Sequence, residues 1–301
     1  MRVIITGGTG LIGQALSASL GADGHEVIVL SRSPERAPAM PMGVRVVSWD
    51  ARTAEGWGHL ADGAYAIVNL AGASLRRRWT SRYKTVIRDS RLNAGQAVFE
   101  AVEGAKSRPS VVVQAAGVSL YGPRGDELIT EETEAADTFL GRTAVLWEQS
   151  TAAVESFGVR RAIVRSAPVL TTRGGVLPLM MLPFRLFVGG PLGSGRQWFP
   201  WIHIEDEVRA IHFLIENEVG VGPFNLTAPD TVTNAEFGRV LGRVVRRPAF
   251  FRVPAFALRF VLGEMSTVVL DGQRAVPGKL HDLAFTFRFP TLEMALRDLL
   301  G

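Results

Sequence analysis

Arg2–Gly13, R-V-I-I-T-G-G-T-G-L-I-G, decides the fold of this chain. Arg2–Thr6 is a short β-branched run, Gly7–Gly13 is a glycine turn, and Gln14–Leu20 has the pattern of a helix. A second apolar run, Glu26–Leu30, closes the unit before Ser31 and Arg32. Strand, turn, helix and strand in that order make one βαβ unit. The glycines at 7, 10 and 13 meet a definite need. The turn must be tight, the backbone must come close to a pyrophosphate, and the helix must lie against the strand. The first helical turn, with Leu11 and Ile12, then offers free N–H groups and a positive dipole end to that anion. The bare alternative is a glycine-rich turn with no ligand.

The end of the second strand speaks to which dinucleotide is expected. An acid about 20 residues past the glycines would hold the ribose 2′-hydroxyl of NAD. Here Ser31 and Arg32 occupy that point, with Arg36 close behind. A guanidinium can pair a 2′-phosphate bidentately, and a serine hydroxyl can add a hydrogen bond. The reading is NADP(H); the bland alternative is that Arg32 is a surface charge.

Farther along, Arg45–Trp49, Tyr65–Leu70, Ser110–Ala115 and Arg161–Arg165 read as strands. Between them, Trp79–Gly104 and Asp137–Phe157 read as helices. Six strands alternating with helices imply a doubly wound α/β fold with a parallel sheet, a Rossmann domain. Ligands of such sheets sit at the carboxyl ends of the strands. Asn69, Leu70, Ala71 and Gly72 end the fourth strand there, and Ala116 ends the fifth. Arg88 and Arg91, one turn apart on the helix between, are either cofactor-facing or ordinary surface charges. The expected division is a dinucleotide domain over 1–172 and a smaller mixed substrate lobe over 173–301, with crossings back to the sheet. In the second part, Glu205–Glu216 reads as a helix that Asp206 caps or charges, Thr233 with Glu236 makes a capping box, and Pro290–Leu300 reads as an amphipathic helix.

Composition narrows the classes. The chain is 47% hydrophobic and 21% charged, with a formal net charge of +4. The arginines are scattered, so nucleic acid is not indicated; Arg76–Arg78 reads as a solvated or cofactor-adjacent loop. There is no cysteine, which excludes disulfides, thiolate metal sites and a cysteine nucleophile and suits a reducing cytoplasm. No apolar run reaches the ~18 charge-free residues of a membrane span, and the first residues enter a strand directly, so no leader is expected. His59, His212 and His281 are apart in sequence, His25 reads as a turn residue, and no metal site is argued. The number of subunits is open.

The motifs together resemble a known family. T-G-G-T-G-L-I-G, N-L-A-G (Asn69–Gly72), S-L-Y-G (Ser119–Gly122) and W-I-H-I-E-D (Trp201–Asp206) stand in the order found in the extended short-chain dehydrogenase/reductases. N-L-A-G-A-S-L-R-R-R-W-T, I-R-D-S-R (Ile87–Arg91), P-L-G-S-G-R-Q-W-F-P-W-I-H-I-E-D and the C-terminal F-R-F-P-T-L-E-M-A-L-R-D-L-L resemble a narrower group. These are atypical NADP-binding "epimerase family" proteins with their own C-terminal domain, sometimes described loosely as cell-division inhibitors. Nearly the whole chain takes part in the resemblance.

One departure matters. Catalytic members of the superfamily use a Y-x-x-x-K pair, the lysine lowering the pKa of the tyrosine that acts as acid and base. Tyrosines stand only at 65, 83 and 121 here, and four residues on are Asn69, Ile87 and Gly125. Counting back from Glu148, Leu140 and Ala144 take the pair's places, and Gly117 takes the usual serine's. Tyr121, Ser119 and His203 are the candidates to replace it. Tyr121 is otherwise a packing residue, and His203 otherwise orients a loop. Arg196, in a glycine-rich loop, reads equally as a lid or a hairpin. The resemblance implies an oxidoreductase or epimerase-like activity on a small molecule, a sugar-like one included. The alternative is a non-catalytic NADP(H)-dependent sensor or scaffold.

Overall fold

The computed structural model describes all 301 residues. Its main sheet has seven strands, all pairs parallel. In chain order the elements begin β1 (Arg2–Thr6), α1 (Leu11–Ala22), β2 (Glu26–Ser31), β3 (Val44–Ser48), β4 (Ala66–Asn69), α2 (Ser81–Gly104) and β5 (Val111–Gly117). They continue with β6 (Leu128–Ile129), α3 (Phe139–Gln149), β7 (Arg160–Ser166), β8 (Val169–Leu170), α4 (Leu177–Arg185), β9 (Trp198–Phe199), β10 (Ile202–His203) and α5 (Ile204–Glu216). Then come β11 (Gly222–Leu226), β12 (Val232–Thr233), α6 (Asn234–Val244), α7 (Ala255–Leu262), α8 (Thr267–Leu270), β13 (Arg274–Ala275), α9 (Gly278–Asp282) and α10 (Leu292–Leu300). The order across the sheet is β11-β7-β5-β4-β1-β2-β3. The chain winds outward one way from β1 and then reverses, which leaves a crevice at the carboxyl ends of β1 and β4.

The inner strands are buried on both faces, as a parallel sheet requires, while β3 at the edge is partly exposed. Val3, Ile5, Val68, Val113 and Val164 meet α1 and α5 through Leu16, Leu20, Ile211 and Leu214. The alternate residues Ile4, Ile28, Ile67 and Val112 meet α2 through Ala94, Ala97, Val98 and Ala101. Each large aliphatic side chain buried this way stabilises the fold by roughly 1.5–3 kcal/mol. A third cluster, with Phe184, Trp201, Phe237 and Leu296, is the core of the C-terminal lobe.

The helix over 137–157 is broken. α3 starts at Phe139, where Thr138 accepts the Gly141 N–H at 3.0 Å, and stops at Gln149. Ser150 there packs onto Gly95 of α2, so closely that a Cβ on Gly95 would lie 1.9 Å from its hydroxyl. A 3₁₀ segment, 152–157, follows. The lobe is not a separate layer, because β11 returns to the main sheet beside β7. Two-residue ladders tie it down further, β8 with β10 and β6 with β13. Asp206 does not cap α5; His203 Nδ1 does, accepting the Glu205 N–H at 3.1 Å. Asp206 is fully buried and accepts the N–H groups of Arg288 and Phe289, both at 2.8 Å, which fastens the C-terminal segment to α5. Thr233 accepts the Glu236 N–H at 3.3 Å, one half of the expected capping box.

A buried polar chain laces the strands beneath the crevice. Thr6 Oγ1 donates to Asn69 Oδ1 at 2.6 Å, Asn69 Nδ2 donates to Gln114 Oε1 at 2.9 Å, and Thr151 donates to the same oxygen. None of these four side chains is exposed. Asn69→Ala leaves the hydroxyl of Thr6 and the amide oxygen of Gln114 short of partners in a dry interior, a cost of roughly 1–3 kcal/mol. Urea unfolding of the variant should show a loss of that size; an unchanged midpoint would mean that water fills the gap.

Candidate functional site

The crevice is built from the β1–α1 turn. Gly7 has φ +67°, and a Cβ there would lie 2.8 Å from the carbonyl carbon of Leu70. A Cβ on Gly13 would lie 2.5 Å from the Cα of Gly8. Both glycines are therefore demanded by the protein's own packing. Gly10 is different. Its φ of −80° and ψ of 179° suit any residue, it is exposed, and a Cβ would meet only the Gly7 carbonyl oxygen, at 3.1 Å. It keeps a strip of backbone bare in front of α1. No side chain caps that helix and no acid sits in its first turn, so the N–H groups of Leu11, Ile12 and Gly13 are open donors at a positive dipole end.

Two cations stand at this edge. Arg32, directly after β2, is exposed and makes no hydrogen bond or ion pair. Ser31 is buried, and its hydroxyl accepts the Ser33 N–H at 3.2 Å, which shapes the turn that presents Arg32. Arg36 is paired with Glu35 at 3.8 Å. Arg91 is buried, reaching from α2 under the end of β4. It donates to the carbonyls of Ile87 at 2.9 Å and Ala73 at 3.3 Å and lies 4.6 Å over the Trp147 ring. A Cβ on Gly72 would be 3.0 Å from its Cζ. Burial lowers its pKa to about 10, so it stays charged at neutral pH, and no carboxylate neutralises it. Arg88 is exposed and paired with Asp89.

Leu70, Ala71 and Gly72 run along the crevice after β4, with Ala116 near the end of β5 and buried. Asn69 is part of the strand-lacing chain, and both ends of its amide are used. The sequence placed that amide in the site; packing commits it to the core.

The three candidates for proton transfer separate. Tyr121 is fully buried. Its hydroxyl donates to Asn225 Oδ1 at 2.6 Å and accepts from Arg165 Nη1 at 2.9 Å. Burial, against the opposing pull of Arg165, raises its pKa to about 12. The structure removes it from the crevice and makes it a tie between β7 and β11. His203 is buried as well; its Nδ1 caps α5 and its ring lies 3.9 Å from that of Phe289. Its Nε2 is 3.3 Å from Asp298, without the alignment of a hydrogen bond. Burial lowers its pKa. It too is structural. Ser119 alone is half-buried with an uncommitted hydroxyl, just past β5.

Two residues escaped the sequence reading. Ser166 ends β7, in register with Gly117, and is half-buried. Glu207, fully buried on α5, sits 2.5 Å from its hydroxyl. A signal existed: Glu207, Ile211 and Leu214 fall on one face of α5, so a carboxylate stands on an apolar stripe. Arg196 lies exposed in a turn with no side-chain partner. At the opposite edge of the sheet, His25, His212 and Glu216 come within 4.8 Å of one another, so His212 is not isolated, although it is in sequence. No helix is long and apolar enough to cross a membrane.

Residues 3–227 match the NAD dependent epimerase/dehydratase family, and residues 253–299 match a domain of unknown function (DUF1731). The chain is 41% identical to an epimerase family protein of Staphylococcus saprophyticus, covering 98% of each chain. It is 38% identical to the epimerase family protein YfhF of Bacillus subtilis, covering 100% of this chain and 98% of that one. The crystal structure of the human epimerase family protein SDR39U1 (isoform2) with NADPH superposes with a TM-score of 0.88 at 34% identity, covering 99% of both chains.

Tyr121→Phe tests the removal of that residue from the site. It strands Asn225 and Arg165 in the interior and should cost about 1–3 kcal/mol of stability in chemical unfolding. The affinity of the folded variant for a dinucleotide should not change; a loss of affinity at full folding would return Tyr121 to the crevice.

Proposed function

Because the chain belongs to the NAD dependent epimerase/dehydratase family, we propose that it binds NADP(H) in the crevice and acts as an atypical oxidoreductase or epimerase-like enzyme on a small molecule. One observation carries the cofactor reading. Gly10 is bare where packing asks for glycine less than at Gly7 or Gly13, in front of a helix start with open donors and no acid. A pyrophosphate fits that strip, held by the N–H groups of the first turn. Arg32, with no carboxylate to occupy it, answers a 2′-phosphate, and Ser31 shapes its turn. Leu70, Ala71 and Gly72 would line the ribose and nicotinamide, with Ala116 opposite. Arg91 supplies a fixed positive charge beneath them. The human relative crystallised with NADPH has the same fold along its whole length, which supports the phosphate-bearing form of the cofactor.

Such a dinucleotide supplies or takes up a hydride. The protein's share is to orient it and to exclude water. A substrate would sit beside it, beyond the ends of β5 and β7 and near the turn around Gly174 and Gly175 that packs on Leu11. A sugar-like molecule is in keeping with the family. The second reading, a sensor that binds the dinucleotide without turnover, draws support from the commitment of Tyr121 and His203 to the core.

Fluorescence titration with NADPH, followed by a panel of carbonyl compounds and nucleotide sugars, separates the readings. Oxidation of NADPH by any panel member supports the enzyme; binding with no consumption across the panel favours the sensor. Arg32→Asp should weaken NADPH by roughly 10–100-fold while leaving NADH nearly unchanged. Equal losses would place the 2′-phosphate elsewhere. Gly10→Val should abolish binding of both dinucleotides while the protein stays folded, and full retention of affinity would show that the turn does not approach the ligand.

A further inference from the structure

We infer that Ser166 and Glu207 form a proton-transfer pair for the crevice, serving a carbonyl-bearing substrate in place of the tyrosine and lysine that this chain lacks. The inference rests on the oxidoreductase reading above and deepens it.

The geometry is specific. Ser166 is the last residue of β7, at the carboxyl edge, half-buried and in register with Gly117 of β5 and Leu226 of β11. A Cβ on Gly117 would lie 3.5 Å from the free hydroxyl of Ser119 and 3.6 Å from the Ser166 carbonyl oxygen. Gly117 thus leaves open a short stretch of edge between two serines. Behind Ser166, Glu207 Oε1 lies 2.5 Å from its Oγ, and Glu207 Oε2 is buried with no hydrogen-bond partner. A carboxylate would leave a buried charge without a partner there, whereas a carboxylic acid leaves only a neutral carbonyl oxygen unpaired, at a far smaller cost.

No charge holds Glu207 ionised. On α5, Glu205 pairs with Arg288, and Asp206 faces Arg209 and the C-terminal segment. His203, on β10, caps the same helix. α1 brings only the neutral Gln14 and Ser17, and neither β5 nor β8 carries a charged residue. On β7, Arg161 pairs with Glu155 and Arg165 with Glu148, and Arg160 is spent on the carbonyls of Leu214 and Ile215 at the other end of α5. Burial, with Ser166 opposing it, pushes the Glu207 pKa up to about 8, so the acid form prevails at neutral pH.

The 2.5 Å line works in either direction. With the acid proton on Oε1, Glu207 donates to Ser166 Oγ, and the serine's own proton is free to point at the crevice. A substrate carbonyl reduced by two electrons from the dinucleotide needs one proton on its oxygen. Ser166 Oγ gives that proton as its O–H bond breaks, and Glu207 gives its proton to Oγ in the same motion. The products are an alcohol, the oxidised dinucleotide and a Glu207 carboxylate, which solvent reprotonates. Ser166 is the catalytic residue; Glu207 acts through it. In the reverse direction the carboxylate accepts the proton.

The test uses the full chain with NADPH and phenanthrenequinone as the probe carbonyl, comparing wild type with Ser166→Ala, Ser166→Thr and Glu207→Gln. Infrared spectroscopy without substrate should show a protonated-carboxyl band at neutral pH that fades at alkaline pH and is missing in Glu207→Gln. A raised folded pKa also makes the stability that the acid form contributes fully present below about pH 4 and lost as pH rises through about 8. The melting temperature of wild type should therefore fall over that range more steeply than that of Glu207→Gln. Ser166→Ala and Glu207→Gln should each slow NADPH oxidation by about 100-fold or more with NADPH affinity unchanged. Ser166→Thr, which keeps the hydroxyl, should retain the rate. The decline of the wild-type reduction rate above about pH 8 should disappear in Glu207→Gln. Wild-type rates in the alanine and glutamine variants, or absence of the carboxyl band, would overturn the pair while leaving the oxidoreductase reading standing. NADPH binding without any oxidation by wild type would sink that reading, and the pair with it.

Discussion

The structure depends on a steric constraint at the end of β1. Three chain segments converge there more closely than side chains permit. Gly7 lies against the Leu70 carbonyl, Gly8 against the Val29 side chain, and Gly13 against the backbone of Gly8. Any Cβ at these positions would overlap a neighbour by a large part of an ångström. The glycines let α1 settle directly onto the sheet and let β4 end beside the turn. Backbone therefore meets backbone at Gly7 and at Gly13. The helix dipole then faces a space in which no acid competes for it. The uncapped helix start here is a by-product of how the first helix packs.

Around that end of the sheet, polar side chains that could carry chemistry serve as supports. In the superfamily it resembles, a tyrosine and a lysine move the proton. Here Tyr121 is clamped between Arg165 and Asn225, and Arg165 is held by the Glu148 carboxylate. Glu131, buried nearby, accepts the N–H groups of Asn225 and Lys279. The set joins β7, β11 and α9, so it fastens the last sheet strand and the C-terminal segment at once. The hydroxyl of Ser166 and the carboxyl of Glu207 meet on the other face of β7. The alternation of side chains along that strand makes the division: Arg165 faces the clamp and Ser166 faces α5.

The C-terminal part has its own apolar core around Trp201 and Phe237, and polar anchors fasten it as well. Asp206 takes two backbone N–H groups from the segment before α10, and Asp230 takes the Leu292 N–H at 3.0 Å. These bonds fix where the lobe sits over the carboxyl edge. The turn at Gly174 and Gly175 then closes onto Leu11, the first residue of α1. The C-terminal part and the start of α1 are thereby joined through one short contact.

Local chemistry was enough to read β1, the glycine turn, α1 and β2, because each is decided by neighbours within a few residues. The alternation of strands and helices, the absence of a Y-x-x-x-K pair and the arginine after β2 were legible for the same reason. The break after Gln149 was not, since it answers to Gly95 on another helix. Nor could sequence say that 222–226 is the outer strand of the main sheet, or that Tyr121 and His203 turn inward. Burial is decided by what packs on top, and those partners lie as far as 104 residues away in the chain. The pairing of Ser166 with Glu207 is of the same kind: only the fold brings an edge hydroxyl and a helix carboxyl to one point, and only its dryness keeps the proton on the acid.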